Sequence, residues 1–456
     1  MPNSNSNKTD LIRSLGVLGW TELEPTILAA LATRSPLLLI GPHGTAKSML
    51  LEKLAQTLNL EFRHYNASTL NFDDLVGFPV PDGEKVKYLR TPLDAWNAEA
   101  IFVDEISRCR IDMQNRLFPL VHECKLQGQE LTNLKYRWAA MNPPPTGEED
   151  ENHQYIGAEP LDPAFADRFH WIIHVPTNLK GADLLSLIRG PTIDPDVSKR
   201  FCQEIQEIRG RLKTTEEFYG EKIATYIQYA YPMLRKHQID ISNRRVRVLY
   251  QNIIALIATQ RYDNLVEPAM IALQNSLPQR CWESISEVKI IKICRSAEEC
   301  LREKITPLQK SILLEHCPLV RTKIASEHNA EKLIIPIVLD ALESLTYGKR
   351  LIFSYSLFHI LARYRHHFPS LVFELLAKDV TDIENSDFDI HKYDWEEVSE
   401  KEEQILYNLQ IVPEDQQWLR RVLYLCHQKN HNIEQLIDYA AYSTHLVQEL
   451  EKNLRK

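Results

Sequence analysis

The sequence GPHGTAKS at residues 41–48 decides the fold that we expect for this chain. It follows an apolar run at residues 36–40 and precedes a helical pattern that continues to about Leu58. Backbone N–H groups at the start of a helix can surround phosphate oxygens, and the helix dipole favours their negative charge. We therefore predict a phosphate-binding loop, in which Lys47 neutralises the β- and γ-phosphates and the hydroxyl of Ser48 ligates Mg²⁺. An ordinary glycine-rich turn before a helix is the alternative interpretation.

One position departs from the general pattern of such loops, because Ala46 stands where glycine usually precedes the lysine. A residue that enters a helix can have a negative φ, so a methyl group there need not clash. We expect Ala46 to adopt this ordinary backbone conformation.

Short apolar runs alternate with helical patterns between about residues 11 and 176. This alternation predicts an α/β fold with a parallel sheet that is covered on both faces. The predicted strands are residues 36–40, 61–65, 100–104, 136–141 and 171–175. Ligands of such sheets bind at the carboxyl ends of the strands, where the motifs of this chain also fall.

Acidic and amide side chains follow two of these strands. The strand AIFVD is followed by Glu105, and we predict that Asp104 holds the water shell of Mg²⁺ while Glu105 orients or deprotonates the attacking water. Asn142 ends the next strand, where its amide would sense the γ-phosphate. The alternatives are a buried strand that happens to end in acidic residues and an asparagine that forms a turn before Pro143.

Two arginines farther along the chain are candidate nucleotide contacts. Arg168 follows the helical segment LDPAFAD and could reach the γ-phosphate of a neighbouring subunit; a surface ion pair with Asp167 is the alternative. In the motif ISNRR, Ser242 is a candidate N-cap, and Arg244 could close over the nucleotide from a helical lid. Arg245 is its close competitor, and solvent-facing arginines are the alternative.

Composition and charge limit the class of protein. The 456 residues carry a formal net charge of -9 and are 44% hydrophobic, which indicates a globular protein of two or three domains. The negative charge argues against broad attraction to nucleic acid or an anionic membrane. The polar amino terminus, the short apolar runs and the eight cysteines without metal-ligand spacing predict a cytoplasmic protein with reduced thiols.

The strand pattern fades after about Thr177, and helical periodicity replaces it. We expect a nucleotide-binding core at residues 1–177, a small helical lid at residues 178–277 and a mostly helical region of unknown role at residues 278–456. Examples of the predicted helices are residues 112–123, 184–188, 201–212, 246–257, 334–345, 351–364 and 418–426.

In order along the chain, the motifs GPHGTAKS, AIFVDEISR, AAMNPP, LDPAFADRF and ISNRR resemble the set found in MoxR-type AAA+ ATPases. The Ala-Lys pair of the loop is frequent in that group. Residues 73–78 and 89–93 resemble the insertion of the family before its acidic strand, and residues 125–137 resemble its hairpin with a turn near Gly128. The lid motif is most similar to the RavA branch. The resemblance covers about residues 11–280.

The resemblance implies a five-stranded αβα core, a helical lid and a ring, usually hexameric, that holds ATP and Mg²⁺ at subunit boundaries. It implies an adenine pocket formed by Val17, Leu18 and Gly19. The implied contacts along the loop and its helix are Gly41, Pro42, His43, Gly44, Thr45, Ala46, Lys47, Ser48 and Leu50. The implied catalytic residues are Lys47, Glu105, Asn142, Arg168 and Arg244, and the implied metal ligands are Ser48 and Asp104. Family members often act on proteins that carry a von Willebrand A domain, an analogy about function.

Three functions follow from these patterns. The first is a chaperone-like ATPase that forms an oligomeric ring and acts on a protein partner. The second is a DNA motor, because the minichromosome-maintenance helicases share this hairpin insertion; Lys125, Lys135 and Arg137 give that function modest support. The third is a nucleotide-binding switch or scaffold with little turnover, and the presence of the predicted catalytic residues argues against it.

Overall fold

The computed structural model describes residues 10–83, 85–143, 161–177, 179, 181–191, 193–262, 264–283, 285–301, 306–328, 330–364, 368–386, 413–427 and 434–455. Pro144 of the AAMNPP motif lies outside these residues. The chain divides into two compact units. The first unit comprises Met1–Tyr231 and Asp240–Glu298, and the second comprises Pro232–Ile239 and Glu299–Lys456.

The first unit is built around a parallel sheet. The strands of the chain are β1 (Leu37–Ile40), β2 (Phe62–Asn66), β3 (Phe78–Asp82), β4 (Lys85–Leu89), β5 (Ala100–Asp104), β6 (Lys125–Leu126), β7 (Gln129–Glu130), β8 (Tyr136–Met141) and β9 (Trp171–His174). Five of them form one parallel sheet in the order β2-β5-β8-β1-β9. The predicted α/β fold is therefore confirmed, and each predicted strand agrees with the observed one to within a residue at either end.

Both faces of this sheet are buried, as the predicted fold requires. Leu38 and Ile40 of β1 point into a core that also contains Ile101, Ala139 and residues of the helices on that side. The alternate residues of β1, at positions 37 and 39, are also completely buried. Successive side chains of a strand point to opposite faces of the sheet. Because both faces are covered here, every residue of β1 is apolar, as the continuous apolar run in the sequence shows.

Two β-hairpins leave this sheet. Strands β6 and β7 are joined by Gln127 and Gly128, whose φ angles of 50° and 77° are those of a tight two-residue hairpin turn. This hairpin confirms the turn predicted near Gly128. Strands β3 and β4 pair in the predicted insertion before β5. Gly77 precedes β3, where a Cβ would lie 2.4 Å from the carbonyl oxygen of Leu89, so that only glycine fits.

The helices are α1 (Leu11–Ser14), α2 (Glu24–Thr33), α3 (Lys47–Thr57), α4 (Phe72–Val76), α5 (Ile111–Glu123), α6 (Pro163–Ala166), α7 (Ala182–Arg189), α8 (Val197–Lys236), α9 (Asn243–Ala258), α10 (Val266–Gln274), α11 (Glu287–Leu301), α12 (Pro307–Leu314), α13 (Pro318–Glu327), α14 (Ile334–Ser344), α15 (Tyr347–Arg363), α16 (Ser370–Glu384), α17 (Pro413–His427) and α18 (Glu434–Leu454). Helix α8 is much longer than the predicted helix at residues 201–212, because its middle turns are mostly exposed and lack a continuous apolar stripe. Within the described residues no helix is long and apolar enough to cross a membrane.

The second unit is helical, which confirms the prediction of a mostly helical carboxyl-terminal region. Helices α13 to α16 and α18 contribute to one buried apolar cluster, and α15, α17 and α18 contribute to another. Gly348 lies at the start of α15, where a Cβ would be 2.6 Å from a methyl carbon of Leu436 and 2.9 Å from the sulfur of Cys426. Glycine at this position therefore allows close packing of α15 against α17 and α18.

A buried carboxylate fixes the segment that precedes β1. Glu24 is 2% exposed, and its Oε2 accepts a hydrogen bond from the backbone N–H of Ile12 at 3.0 Å. Its Oε1 accepts from the guanidinium of Arg261 at 3.1 Å. Burial raises the pKa of Glu24 to about 7, and a hydrogen bond with Asp10 acts in the same direction. This carboxyl group thereby ties α1, and the loop of residues 15–19 that follows it, to α2.

Replacement of Glu24 by glutamine should remove a pH dependence of folding stability. The carboxyl group binds a proton more tightly in the folded chain than in the unfolded chain, where its pKa is 4.5. Its contribution to folding stability is therefore fully present below pH 4.5 and is lost as the pH rises through 7. Between pH 4.5 and 8 we expect the free energy of unfolding of the wild type to fall by about 3 kcal/mol relative to that of Glu24→Gln. Urea unfolding of both proteins across this range measures the difference, and parallel pH profiles would contradict the prediction.

Candidate nucleotide-binding site

A cavity of 310 Å³ lies at the carboxyl ends of β1, β5 and β8. It is lined by His43, Gly44, Thr45, Ala46, Lys47, Ser48, Met49, Asp104, Glu105, Met141 and Asn142. The fold thus brings together three segments that are far apart in the sequence, because parallel neighbouring strands end at the same edge of the sheet. Most of the predicted phosphate and metal contacts meet in this cavity.

The lysine of the loop is held by the loop itself. Lys47 is 8% exposed, and its Nζ donates hydrogen bonds to the carbonyl oxygens of Gly41 at 2.7 Å and Pro42 at 2.8 Å. Thr45 Oγ1 donates to the same carbonyl of Pro42 at 2.8 Å. Burial lowers the pKa of Lys47, and the nearby carboxylates of Asp104 and Glu105 oppose that shift. The positive charge is therefore fixed at the edge of the sheet beside two carboxylates.

The backbone of Ala46 differs from the sequence-based expectation. Its φ is 64° and its ψ is 22°, so the predicted negative φ is wrong. Ala46 is the N-cap of α3, and the chain makes a left-handed turn there before Lys47 begins the helix. This conformation costs an L-residue with a Cβ about 1–2 kcal/mol relative to glycine. The observed φ explains why the general pattern of such loops has glycine at this position.

Gly41 is required by packing. A Cβ at this position would lie 2.0 Å from Cγ2 of Val175, the residue that follows β9. The backbone N–H of Gly41 donates to the carbonyl of Met141 at 3.1 Å and so extends the pairing of β1 with β8. The loop therefore starts from a fixed point between two strands.

Ser48 and Asp104 form a pair suited to a hard divalent cation. Ser48 Oγ donates to Asp104 Oδ2 at 2.7 Å, and the backbone N–H of Glu105 donates to Asp104 Oδ1 at 2.8 Å. Burial alone would raise the pKa of Asp104, but the nearby imidazole of His64 and the hydrogen bond from Ser48 outweigh it and lower the pKa. A hydroxyl and an ionised carboxylate in contact match the oxygen ligands that Mg²⁺ prefers. These residues fit the predicted metal.

His64 belongs to this site, although sequence analysis did not identify it. It lies on β2, its Nε2 is 3.6 Å from Asp104 Oδ2, and its Nδ1 is 3.3 Å from Glu52 Oε1. Its ring stacks on Phe102 with 4.6 Å between centroids. The nearby carboxylate of Asp104 raises the pKa of His64, and burial opposes this shift. Only the pairing of β2 with β5 reveals this contact, since the sequence does not say which strands are neighbours.

Glu105 and Asn142 complete the cavity. Glu105 follows β5 directly and has a left-handed φ of 54°. Its side chain is 36% exposed, with Oε2 4.0 Å from a guanidinium nitrogen of Arg108. Asn142 follows β8 and is half-buried. Both residues line the cavity together with Lys47, as a water-orienting acid and a phosphate sensor would require.

Other predicted residues lie outside the lining of this cavity. Leu50 is completely buried, and the residue of α3 that lines the cavity near this position is Met49. Val17 and Leu18 are buried, and Gly19 has a φ of 81° with its Cβ position 2.6 Å from a methyl carbon of Leu179. These three residues stay predicted adenine contacts.

The arginines of the second half of the first unit also lie outside the cavity lining. Arg168 donates to the carbonyl of Ala164 at 2.8 Å, and its guanidinium carbon is 5.1 Å from the ring centroid of Phe118. Arg244 is 39% exposed, whereas the Arg245 side chain is 1% exposed. The predicted N-cap is confirmed, because Ser242 Oγ accepts from the backbone N–H of Arg245 at 3.1 Å.

The fold and the site together define a domain of the nucleotide-binding AAA class. Residues 36–169 match the family model of the AAA domain, dynein-related subfamily, so the matched range runs from β1 to the residue after Arg168. This chain is similar to a protein from Cytophaga hutchinsonii, provisionally named an ATPase, whose crystal structure is known. The match covers 62% of this chain and 92% of that protein, with 22% sequence identity and a TM-score of 0.42. The AAA domain implies nucleotide binding, usually with Mg²⁺.

The backbone of Ala46 gives a test of the loop geometry. Ala46→Gly should stabilise the first unit by up to about 1 kcal/mol, because the relief of the left-handed strain exceeds the entropy that glycine adds to the unfolded chain. The same substitution at Ala224, an exposed position inside α8, should cost about 1 kcal/mol. Thermal unfolding of the two variants measures the difference. Equal destabilisation by both substitutions would contradict the observed conformation.

Proposed function

We propose that this protein is an ATP-hydrolysing, chaperone-like ATPase of the MoxR type that works as an oligomeric ring on a protein partner. The observation that carries the proposal is the meeting of Lys47, the Ser48–Asp104 pair, Glu105 and Asn142 in one cavity. A buried cation, a metal-binding pair, an acid and an amide are the parts that phosphoryl transfer to water requires. The motif order supports the MoxR group, and the ISNRR motif supports its RavA branch.

The residues of the cavity have separate tasks in this mechanism. Lys47 and the backbone N–H groups at the start of α3 would hold the phosphates, and Ser48 and Asp104 would hold the metal. Bound Mg²⁺ would neutralise negative charge on the phosphate oxygens. Glu105 would orient the attacking water and accept its proton, while Asn142 would hydrogen-bond the same water or the terminal phosphate. None of these tasks needs a covalent intermediate on the protein.

The position of Arg168 supports action in a ring. Its guanidinium lies on Phe118 of α5 rather than in the lining of its own cavity. An arginine in this position can serve the nucleotide of an adjoining subunit, where it would stabilise the charge that develops in phosphoryl transfer. Arg244, the more exposed of the two lid arginines, stays the candidate contact from the lid. A hexamer is proposed from the family resemblance.

We also propose the division into a core at residues 1–177, a lid at residues 178–277 and a separate region at residues 278–456. Helices α7 to α10 fall within the proposed lid. The resemblance to MoxR-type proteins favours a protein partner, and we propose one with a von Willebrand A domain, as the target of the ring.

The contacts of the predicted basic residues argue against DNA as that target. Lys125 pairs with Glu123 at 3.0 Å, and Lys135 pairs with Glu99. Arg137 donates to the backbone carbonyls of Val121 at 3.1 Å and Arg34 at 3.0 Å. A cation that stays paired or bonded within the protein neutralises few DNA phosphates. Few counterions are then released from the DNA, so the contribution of such a cation to affinity is small. ATP turnover that rises severalfold on addition of DNA at low salt would overturn the choice of a protein partner.

Glu105→Gln tests the proposed hydrolysis. We expect this variant to bind ATP in the presence of Mg²⁺ but to turn over about 10²- to 10⁴-fold more slowly, because the amide cannot accept the proton of the water. Calorimetry measures binding, and phosphate release measures turnover. The matched control is Glu130→Gln, at an exposed position on β7, which should keep both properties. Turnover at the wild-type rate in Glu105→Gln would remove Glu105 from the mechanism, and a wild type that takes up no Mg²⁺-dependent ATP would end the proposal.

Arg168→Ala tests the proposed action between subunits. We expect ATP binding to persist while turnover falls by about 10³-fold or more. In mixed rings with Lys47→Ala subunits, the intact sites of one variant would meet the intact arginines of the other, so turnover should return. The same mixing experiment without any recovery would show that Arg168 does not act in trans.

A further inference from the structure

Arg245, at the start of α9, is bound to the segment that carries Arg168. Its Nε donates to Asp167 Oδ1 at 3.1 Å, and its terminal nitrogens donate to the backbone carbonyls of Asp167 and Phe169, each at 2.8 Å. The side chain is 1% exposed. A planar guanidinium that bonds a carboxylate and two carbonyls at once fixes orientation as well as distance.

Two further side chains of the same region hold this segment. Ser242 Oγ donates to Asp167 Oδ2 at 3.0 Å, so both oxygens of that carboxylate are bound by residues at the start of α9. Asn252, farther along α9, donates to the carbonyl of His170 at 2.9 Å. The segment of residues 167–170 is thus attached to α9 at both of its ends.

The side chain of Arg168 itself is supported from another direction. Its guanidinium lies over Phe118 of α5, and that ring stacks on Phe165 at 4.8 Å between centroids. The backbone of Arg168 therefore follows α9, while its guanidinium rests on α5. A shift of α9 relative to α5 would move one support of Arg168 and leave the other in place.

We infer that Arg245 is a positioning residue that couples the lid helix of one subunit to ATP hydrolysis in the next. It holds residues 167–170 to α9, so the position of the lid decides whether Arg168 reaches the neighbouring nucleotide. This inference rests on the proposed function, since it requires Arg168 to act between subunits. It also separates the two lid arginines: Arg245 works through Arg168, and Arg244 is the one left to contact nucleotide directly.

The competing role for Arg245 is that of a sensor of the nucleotide in its own subunit. The two roles differ in which subunit is impaired when Arg245 is replaced. A positioning residue leaves the site of its own subunit intact and impairs the neighbour that depends on its Arg168. A sensor impairs its own site and leaves its Arg168 able to serve the neighbour.

Mixed rings of full-length subunits distinguish these roles. Arg245→Met alone should reduce turnover by about 100-fold, because a displacement of about 1 Å is enough to produce such a loss. Its ATP affinity, measured by calorimetry in the Glu105→Gln background, should change little. In a 1:1 mixture with Lys47→Ala, about a quarter of the sites should recover, since half are competent and half of these face an intact Arg168. In a 1:1 mixture with Arg168→Ala, turnover should stay low.

The opposite pattern would overturn the inference and make Arg245 a sensor. In that pattern, turnover of Arg245→Met recovers in the mixture with Arg168→Ala and does not recover in the mixture with Lys47→Ala. The mixture of Arg168→Ala with Lys47→Ala is the reference. If turnover does not recover in that mixture, Arg168 does not act in trans, and this part of the proposed function is wrong. If it recovers while Arg245→Met shows the sensor pattern, the inference alone fails.

Two more variants separate positioning from a loss of folding. Asp167→Asn keeps the shape of the partner but removes its charge, and it should show the same mixing pattern as Arg245→Met; the sensor pattern in this variant would also overturn the inference. Arg247→Met replaces an exposed arginine on the same helix. It should keep wild-type turnover alone, and in each mixture it should give the same turnover as the wild type mixed with the same partner variant. Thermal unfolding of each variant shows whether the subunits are folded before mixing.

Discussion

The site depends on opposite charges that are partly buried at one edge of the sheet. Lys47 follows the loop after β1, and Asp104 ends β5, with β8 lying between these two strands. Burial of a single charge is costly, but a cation and a carboxylate that are both hydrogen-bonded can be buried together. Ser48 links the two groups, since it follows Lys47 in α3 and donates to Asp104 at 2.7 Å. The strand order therefore creates the electrostatic setting in which phosphate and metal could be held.

Two residues of the cavity lining have a strained backbone. Ala46 and Glu105 both have positive φ, one on each side of the cavity, and neither is glycine. Such conformations persist only where the surrounding structure enforces them, and they concentrate at functional sites. Here the strain of Ala46 comes from the turn by which the chain enters α3. The strain of Glu105 comes from the turn that follows β5, and this turn places its carboxylate in the cavity lining.

The arginines show how one carboxylate can organise several groups of the same charge. Asp167 accepts from Arg245 and Ser242 and lies 3.6 Å from Arg244. Arg168 is its neighbour in sequence, so the arginine proposed to act between subunits and both arginines of the proposed lid are arranged around a single anion. This arrangement offers a direct mechanical route from α9, a helix of the proposed lid, to the residue proposed to act on the next subunit.

The sequence by itself determined the α/β core, the five strands along the chain, the glycine-rich loop before α3 and the acidic end of β5. These features are local, since strand and helix periodicity and glycine spacing are properties of neighbouring residues. Only the tertiary structure decided that His64 contacts Asp104, that Ala46 has a left-handed φ and that Arg245 is buried against Asp167. Strand neighbours, loop dihedrals and the burial of one arginine beside another depend on long-range packing, which a pattern of adjacent residues does not encode.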